Sequence, residues 1–224
     1  MKKYALRNSY FKYNNMSGFP DTIFEIAKYQ KEHGELPFRY DGANWVYNAF
    51  VERQKYRGVH NSQYLTPDAT CERLMYFAGR YFTKKEVLEP CCGTGQITKE
   101  LLKTGYHVTA FDNDPELVKL CKMQYPDIDV FQSDFREAPF LANQIIANPP
   151  YEIAVLTDFL EFIDRIQVYG GISILLLAKG FIDKERPKRT FQALSKFEVL
   201  YCEDMQEEFA RSKTRAEIVV LKKL

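Results

Sequence analysis

The stretch from Glu86 to Lys103, EVLEPCCGTGQITKELLK, decides the fold. Val87 and Leu88 make a short apolar run that reads as a buried strand over Glu86–Glu89. Gly93 and Gly95 then permit a tight turn and a close backbone approach to a ligand. From Gly95 to Lys103 the apolar residues Ile97, Leu101 and Leu102 fall on one side of a helix. Strand, glycine corner and helix follow within eighteen residues, and the same alternation continues along the chain. Strands are expected at His107–Phe111, Ile128–Phe131, Gln144–Ala147 and Ile172–Ala178, with helices at Pro115–Gln124 and Ile153–Ile166. Pro115 sits at a favoured first helical position. A helix over Pro67–Tyr81 precedes the first strand. Helices alternating with short apolar strands imply a parallel sheet covered on both faces.

Two last strands, Phe197–Cys202 and Ala216–Lys222, have no helix between them, so they read as an antiparallel hairpin at one sheet edge. The expected architecture is α/β: a Rossmann-like, seven-stranded, mostly parallel sheet with one antiparallel edge hairpin strand. Residues 1–60 differ in character. They are rich in Tyr and Phe, with expected helices at Thr22–His33 and Asn44–Tyr56, and read as a small helical appendage. The domain proper is expected over 61–224.

The composition, 46% hydrophobic and 27% charged over 224 residues, is that of a soluble globular protein. The basic start of the chain has no apolar run behind it, so no signal peptide is expected. The longest clean apolar run, Ile172–Ala178, is too short to span a bilayer. Five cysteines, an odd number without a CxxC pair, argue against a zinc knuckle or a disulfide framework and fit a reducing, cytoplasmic setting. No metal is expected. The net charge of +1 hides an asymmetry. Residues 1–60 hold 10 basic and 6 acidic side chains, residues 61–178 hold 10 and 16, and residues 179–224 hold 11 and 8. Two basic flanks around an acidic middle suit a polyanion, although ordinary solvated faces explain the charges as well.

The chemistry is expected at the carboxyl ends of the strands, where open α/β sheets bind ligands. Gly93 and Gly95 open the first corner, without a Walker loop's Gly-Lys-Ser/Thr. Asp112, 17 residues after Gly95, closes the second strand and is placed to accept hydrogen bonds from ribose hydroxyls. Its neighbour Asp114 is expected to cap the next helix. The third strand ends in Asp134-Phe135, suited to an adenine amino group and ring, or to a plain turn. The fourth ends in Asn148-Pro149-Pro150-Tyr151, where two prolines without N–H groups force the chain out of the sheet.

VLEPCCGTG, FDND, SDF and IANPPY, in this order, resemble the class I S-adenosylmethionine-dependent methyltransferases. NPPY resembles the amino-methyltransferases in particular. Glu89-Pro90 before the glycine loop, and SQYLTPDATCERLM at 62–75, look most like the gamma-type enzymes that methylate adenine N6 in DNA. The resemblance covers about Gln63 to Leu224. It implies S-adenosylmethionine as cofactor, held by Thr66, Pro67, Glu89, Pro90, Cys91, Gly93, Gly95, Asp112, Asn113, Asp134 and Phe135. It also implies a catalytic Asn148, Pro149, Pro150 and Tyr151. The Asn148 side-chain oxygen and the Pro149 carbonyl would bind the two hydrogens of an exocyclic amine, and Tyr151 would stack on its ring. Both acceptors are fixed in advance, so the site works by preorganisation and needs no base.

One departure bears on the partner. Those DNA enzymes usually carry a large target-recognition domain after the core, and none is expected from these residues. Target contact falls to residues 1–60 and to the basic segment 180–195, with Lys184, Arg186, Lys188 and Arg189 supplying charge. The expected partner is nucleic acid, DNA first and RNA second. A protein glutamine methyltransferase and a silent cofactor-binding protein are the remaining readings.

Overall fold

A computed structural model describes residues 66–208 and 215–224. The expected appendage, 1–60, lies outside the described residues. The chain runs α1 (Asp68–Tyr81), β1 (Glu86–Pro90), α2 (Gln96–Lys103), β2 (His107–Asp112), α3 (Pro115–Gln124), β3 (Asp129–Gln132), β4 (Ala142–Ala147), α4 (Ile153–Ile166), β5 (Gln167–Ala178), α5 (Lys188–Leu194), β6 (Phe197–Glu208) and β7 (Arg215–Lys223).

The seven strands form one sheet in the order β3-β2-β1-β4-β5-β7-β6. The first five run parallel, with Leu88 opposite both Thr109 and Ile145, and Ala147 opposite Leu175. β7 is antiparallel to both its neighbours, with Leu175 opposite Val219 and Glu203 opposite Ile218. The hairpin expected at the edge is therefore present, and its second strand lies inside the first.

Alternate residues of each central strand feed two different cores, as the period of two requires. Ile146, Ile174, Leu176, Ile218 and Val220 pack with α1, α2 and α3 through Leu74, Phe77, Ile97, Leu101 and Val118. Ile145, Ala147, Leu175, Leu177, Val219 and Leu221 pack with α4 and α5 through Leu156, Phe159, Leu160, Phe162, Ile163 and Ala193. Both sheet faces are covered, which is why these strands read as continuous apolar runs. Each such buried Leu, Ile or Phe contributes roughly 1.5–3 kcal/mol of transfer free energy.

Gln144, 3% exposed, fastens the chain ahead of β1 onto β4. Its Oε1 accepts from the backbone N–H groups of Thr83 (2.6 Å) and Lys84 (2.7 Å). Its Nε2 donates to the carbonyls of Lys84 (2.9 Å) and Glu86 (3.1 Å). All four hydrogen-bonding positions of one amide are used, so the irregular link between α1 and the sheet keeps its backbone groups satisfied.

α4 matches its expected bounds residue for residue, and α3 does too. β5 and β6 run longer than expected. α5 is a helix the sequence reading did not contain. No helix among the described residues is long and apolar enough to cross a membrane.

Candidate active site

The strand order reverses between β1 and β4. That reversal opens a crevice at their carboxyl ends, where such sheets take ligands. The Leu88–Ile145 pairing brings the corner after Pro90 beside the corner after Ala147.

The first corner is built on left-handed backbone. Cys91 (φ 57°), Gly93 (φ 56°) and Gly95 (φ 85°) all have positive φ. Gly93 and Gly95 take this without a Cβ penalty, and Cys91 pays it. Gly95 is glycine for a packing reason: a Cβ there would stand 2.7 Å from the Tyr125 ring and 3.0 Å from Cys121 Sγ. The turn is closed by Gly95 N–H donating to the Cys92 carbonyl (2.9 Å), and Cys92 N–H is tied to Phe111 on β2 (3.1 Å). α2 begins at Gln96, so its amino end faces the crevice.

Asp112 ends β2 and is 7% exposed. Its Oδ2 accepts from Gly93 N–H (2.9 Å) and its Oδ1 from Asp114 N–H (3.0 Å). Burial still pushes its carboxyl up to about 6, against the pull of those backbone donors. Asn113 beside it is exposed. Asp114 opens α3 as expected, its carbonyl accepting from Val118 N–H (3.1 Å) and its Oδ1 from Leu117 N–H (3.4 Å). Glu89 is 1% exposed and accepts from the Thr98 hydroxyl (2.5 Å). Burial pushes its carboxyl well up, with only Thr98 opposing, and no basic side chain is among the causes. Pro90 next to it is buried as the last residue of β1.

Two acids are thus held at adjacent strand ends, and neither makes an ion pair among the described residues. A ligand bearing a positive charge and ribose hydroxyls fits that donor set, so the residues present are compatible with S-adenosylmethionine. Cys91 and Cys92 do not have the character of nucleophiles. Burial raises the Cys91 thiol, and the Cys121 thiol together with burial raises Cys92, so both stay protonated.

The third strand end departs from expectation. Phe135 is 6% exposed and packs in the α4 core against Phe159 (5.2 Å) and Phe162 (5.7 Å), with the Arg136 guanidinium 4.6 Å over its ring. Its ring is occupied by core packing and is not an open stacking face for adenine. Asp134 is a turn residue in part, since its Oδ1 accepts from Arg136 N–H (2.9 Å). The Arg136 guanidinium also spans both its oxygens (3.3 and 3.2 Å). Arg136 itself was missed by the sequence reading. A polar residue two positions after a turn aspartate carries no periodicity to betray it.

The fourth strand end is Asn148-Pro149-Pro150-Tyr151. Asn148, Pro150 and Tyr151 are half-buried and Pro149 is buried. The chain leaves β4 at Ala147 and enters α4 at Ile153, as two adjacent prolines require. Tyr151 packs against the core on the α1 side. Asn148 Nδ2 donates to the Thr66 hydroxyl (3.1 Å). Thr66 is 5% exposed and is followed by Pro67, the residue that caps α1. The segment and the motif that the sequence separates by 82 positions therefore meet.

The basic segment is not a uniform open patch. Arg186 spends its guanidinium on the carbonyls of Phe181 (3.0 Å) and Gly180 (2.7 Å) and lies 4.8 Å over the Phe181 ring. Arg189 is paired with Glu161 (2.6 and 2.9 Å) and Asp158 (2.7 Å) of α4. Although its desolvation acts the other way, Arg136 and Arg189 together hold Asp158 below its ordinary value. Of the four residues expected to meet a polyanion, these two have internal partners. Lys184 and Lys188 are exposed and make no ion pair among the described residues.

A family model described as a methyltransferase domain matches residues 87–161. Curated relatives share part of the chain. The "Probable ribosomal RNA small subunit methyltransferase A" of Thermococcus onnurineus is 28% identical over 121 residues, 43% of this chain and 44% of that protein. The ribosomal RNA small subunit methyltransferase A of Chlorobium chlorochromatii is 32% identical over 85 residues, 34% of this chain and 32% of that protein. The chain spans less than half the length of these curated relatives. Among solved structures, TrmN from Thermus thermophilus superposes with a TM-score of 0.56 at 23% identity, over 74% of this chain and 50% of that one. The magnesium protoporphyrin IX methyltransferase of Synechocystis with bound S-adenosylmethionine superposes with a TM-score of 0.59 at 14% identity, over 93% and 94%. Taken with the strand order and the acids at its switch point, these likenesses give the chain the fold of the class I S-adenosylmethionine-dependent methyltransferases, with S-adenosylmethionine as the cofactor class.

Proposed function

We propose that the protein transfers a methyl group to the N6 amine of an adenine in RNA. The observation that carries this reading is the placement of Asn148-Pro149-Pro150-Tyr151 at the end of β4, directly beside the glycine corner after β1. The ribosomal RNA methyltransferases among its relatives support RNA over the DNA target that Glu89-Pro90 and Thr66-Pro67 suggest by resemblance.

An amine on an aromatic ring is a weak nucleophile because its lone pair is delocalised into the ring. The Asn148 oxygen and the Pro149 carbonyl accept its two hydrogens and favour a tetrahedral nitrogen, which frees the lone pair. Tyr151 offers a ring edge or face to the base. Neither acceptor has to move during the reaction, since the prolines hold the backbone in advance. S-adenosylmethionine would supply the methyl group from a positive sulfur, which keeps the electron pair of the broken S–C bond and leaves as a neutral thioether, and the methylated amine would give up one proton to solvent. Asp112 would hold the cofactor's ribose, while Gly93 and Gly95 let the backbone come close. Lys184 and Lys188 would meet phosphates. A target base in a duplex has to be flipped out at a cost of a few kcal/mol, so unpaired adenines are the favoured substrates.

The test is transfer of labelled methyl from S-adenosylmethionine to RNA, DNA and protein, followed by digestion and identification of the modified residue. N6-methyladenine in RNA is the expected product. Label only in DNA restores the DNA reading. Label on glutamine, or none on any substrate, overturns the proposal.

A further inference from the structure

We infer that Thr66 is a positioning residue for Asn148, setting the rotation of the amide that meets the target amine. The inference rests on the proposed role of Asn148 and deepens it.

The two prolines after Asn148 fix its backbone but not its side chain. The terminal torsion of an asparagine joins an sp³ to an sp² carbon and has a broad, nearly two-fold profile. Left alone, the amide can present its NH₂ or its oxygen to the crevice with little change in shape. Only the oxygen suits an amine, because an amine brings donors. The positioning of this one torsion therefore needs a separate contact. In the structure the Thr66 hydroxyl makes such a contact, accepting from Nδ2 at 3.1 Å. With the nitrogen end engaged there, the oxygen end is directed away from Thr66.

The mount is stiff. Thr66 is 5% exposed, and Pro67 behind it has a fixed φ and begins the α1 cap. The Thr66 carbonyl accepts from the Cys71 thiol (3.8 Å), and the Pro67 carbonyl accepts from Cys71 N–H (2.9 Å). Cys71 is fully buried in the α1 core. The hydroxyl is thus carried by a residue tied to the first turn of a packed helix rather than by a free loop. This gives the side chain of the Thr-Pro segment a task at the amine end of the crevice, apart from any contact its backbone makes with the cofactor.

The experiment compares Thr66→Val, Thr66→Ser and Asn148→Ala in the full chain. The side-chain amide cross-peaks of Asn148 in an ¹⁵N spectrum are assigned by their loss in Asn148→Ala. In the ligand-free protein they should move in Thr66→Val and stay in place in Thr66→Ser, with all three variants folded by amide dispersion. In single-turnover methyl transfer to an unpaired adenine oligoribonucleotide, Thr66→Val should slow the step by about 10- to 100-fold. Cofactor affinity by calorimetry should change less than threefold, and Thr66→Ser should recover most of the rate. The combined Thr66→Val, Asn148→Ala protein should be no slower than Asn148→Ala alone. Unmoved Asn148 cross-peaks in Thr66→Val overturn the inference. So does a slowed rate that serine fails to recover. Absence of transfer by the unsubstituted protein overturns the proposed function instead, while the spectra still decide the role of Thr66.

Discussion

The corner after β1 has three residues with positive φ, Cys91, Gly93 and Gly95. The corner after β4 has none, and is set by Pro149 and Pro150 instead. The first corner bends because its residues allow unusual backbone angles, and the second because its residues forbid ordinary ones. Their polarity differs accordingly. The glycine corner presents N–H groups, one of which already holds Asp112, and leads into the positive end of α2. The proline corner has lost two N–H groups, so carbonyls and the Asn148 amide dominate it. A donor-rich wall and an acceptor-rich wall lie side by side at the switch point. The difference suits a ligand with hydroxyl groups on one side and an amine on the other.

The sharpest way to break this comparison is Asn148→Ala. It removes an acceptor from the proline corner only. Methyl transfer should fall by about a thousandfold, the scale of losing one preorganised group at a transition state. Calorimetric affinity for S-adenosylmethionine should stay within about twofold. A large loss of cofactor affinity would mean that the two walls do not divide the work.

Gly95→Ala attacks the other corner through its backbone. The new Cβ would press on Tyr125 and Cys121 at a φ of +85°. Strain and overpacking together should cost about 2–4 kcal/mol in urea unfolding. An unchanged midpoint would show that the glycine corner is less committed to its left-handed form than the contacts indicate.

Asp112→Asn should have the smallest effect, about a tenfold loss of cofactor affinity at pH 8. The unsubstituted protein should also bind less tightly as pH falls through about 6, where the Asp112 carboxyl takes up a proton and loses acceptor strength. The variant should be flat over the same range. The sign is opposite for the stability of the ligand-free fold. Between the ordinary value of 3.8 and about 6 the folded state holds a proton that the unfolded state has released, so this group's contribution declines as pH rises. Affinity that fails to respond to pH would remove Asp112 from the ribose role.

Much of this was legible because buried parallel strands announce themselves. Ile145–Ala147 and, Ser173 apart, Ile172–Ala178 are apolar on both faces, and α4 has a broad apolar stripe bounded by Glu152 and Gln167. Legibility failed where an element was held by something other than apolar burial. β5 begins five residues earlier than its apolar run because Gln167 pairs with Ala142 on β4, ahead of an irregular stretch in which Val168 and Tyr169 stay exposed. α5 has only Thr190 and Ala193 buried, and it is fixed to α4 by the Thr157–Thr190 hydroxyl contact (2.7 Å) and by Arg189. At the site, the acids at the strand ends could be found by position alone. Phe135 could not, since a ring that stacks on a ligand and a ring that fills a core look alike in one sequence. The internal pairing of Arg189 depends on α4, which is distant in the chain.

The place of β7 sets a clock on assembly. β7 follows β6 in the chain, yet it fills the slot between β5 and β6. Until it arrives, β5 is an open edge, and its Leu175, Leu176 and Leu177, all fully buried in the finished sheet, lack their covering strand. About 45 residues separate the end of β5 from the end of β7. At typical synthesis rates that is roughly 2–9 s during which a nascent chain carries a complete parallel half-sheet with an apolar border. Such a border is a template for pairing with another chain. The antiparallel strand that closes the fold is therefore also the one whose delay exposes the protein to aggregation.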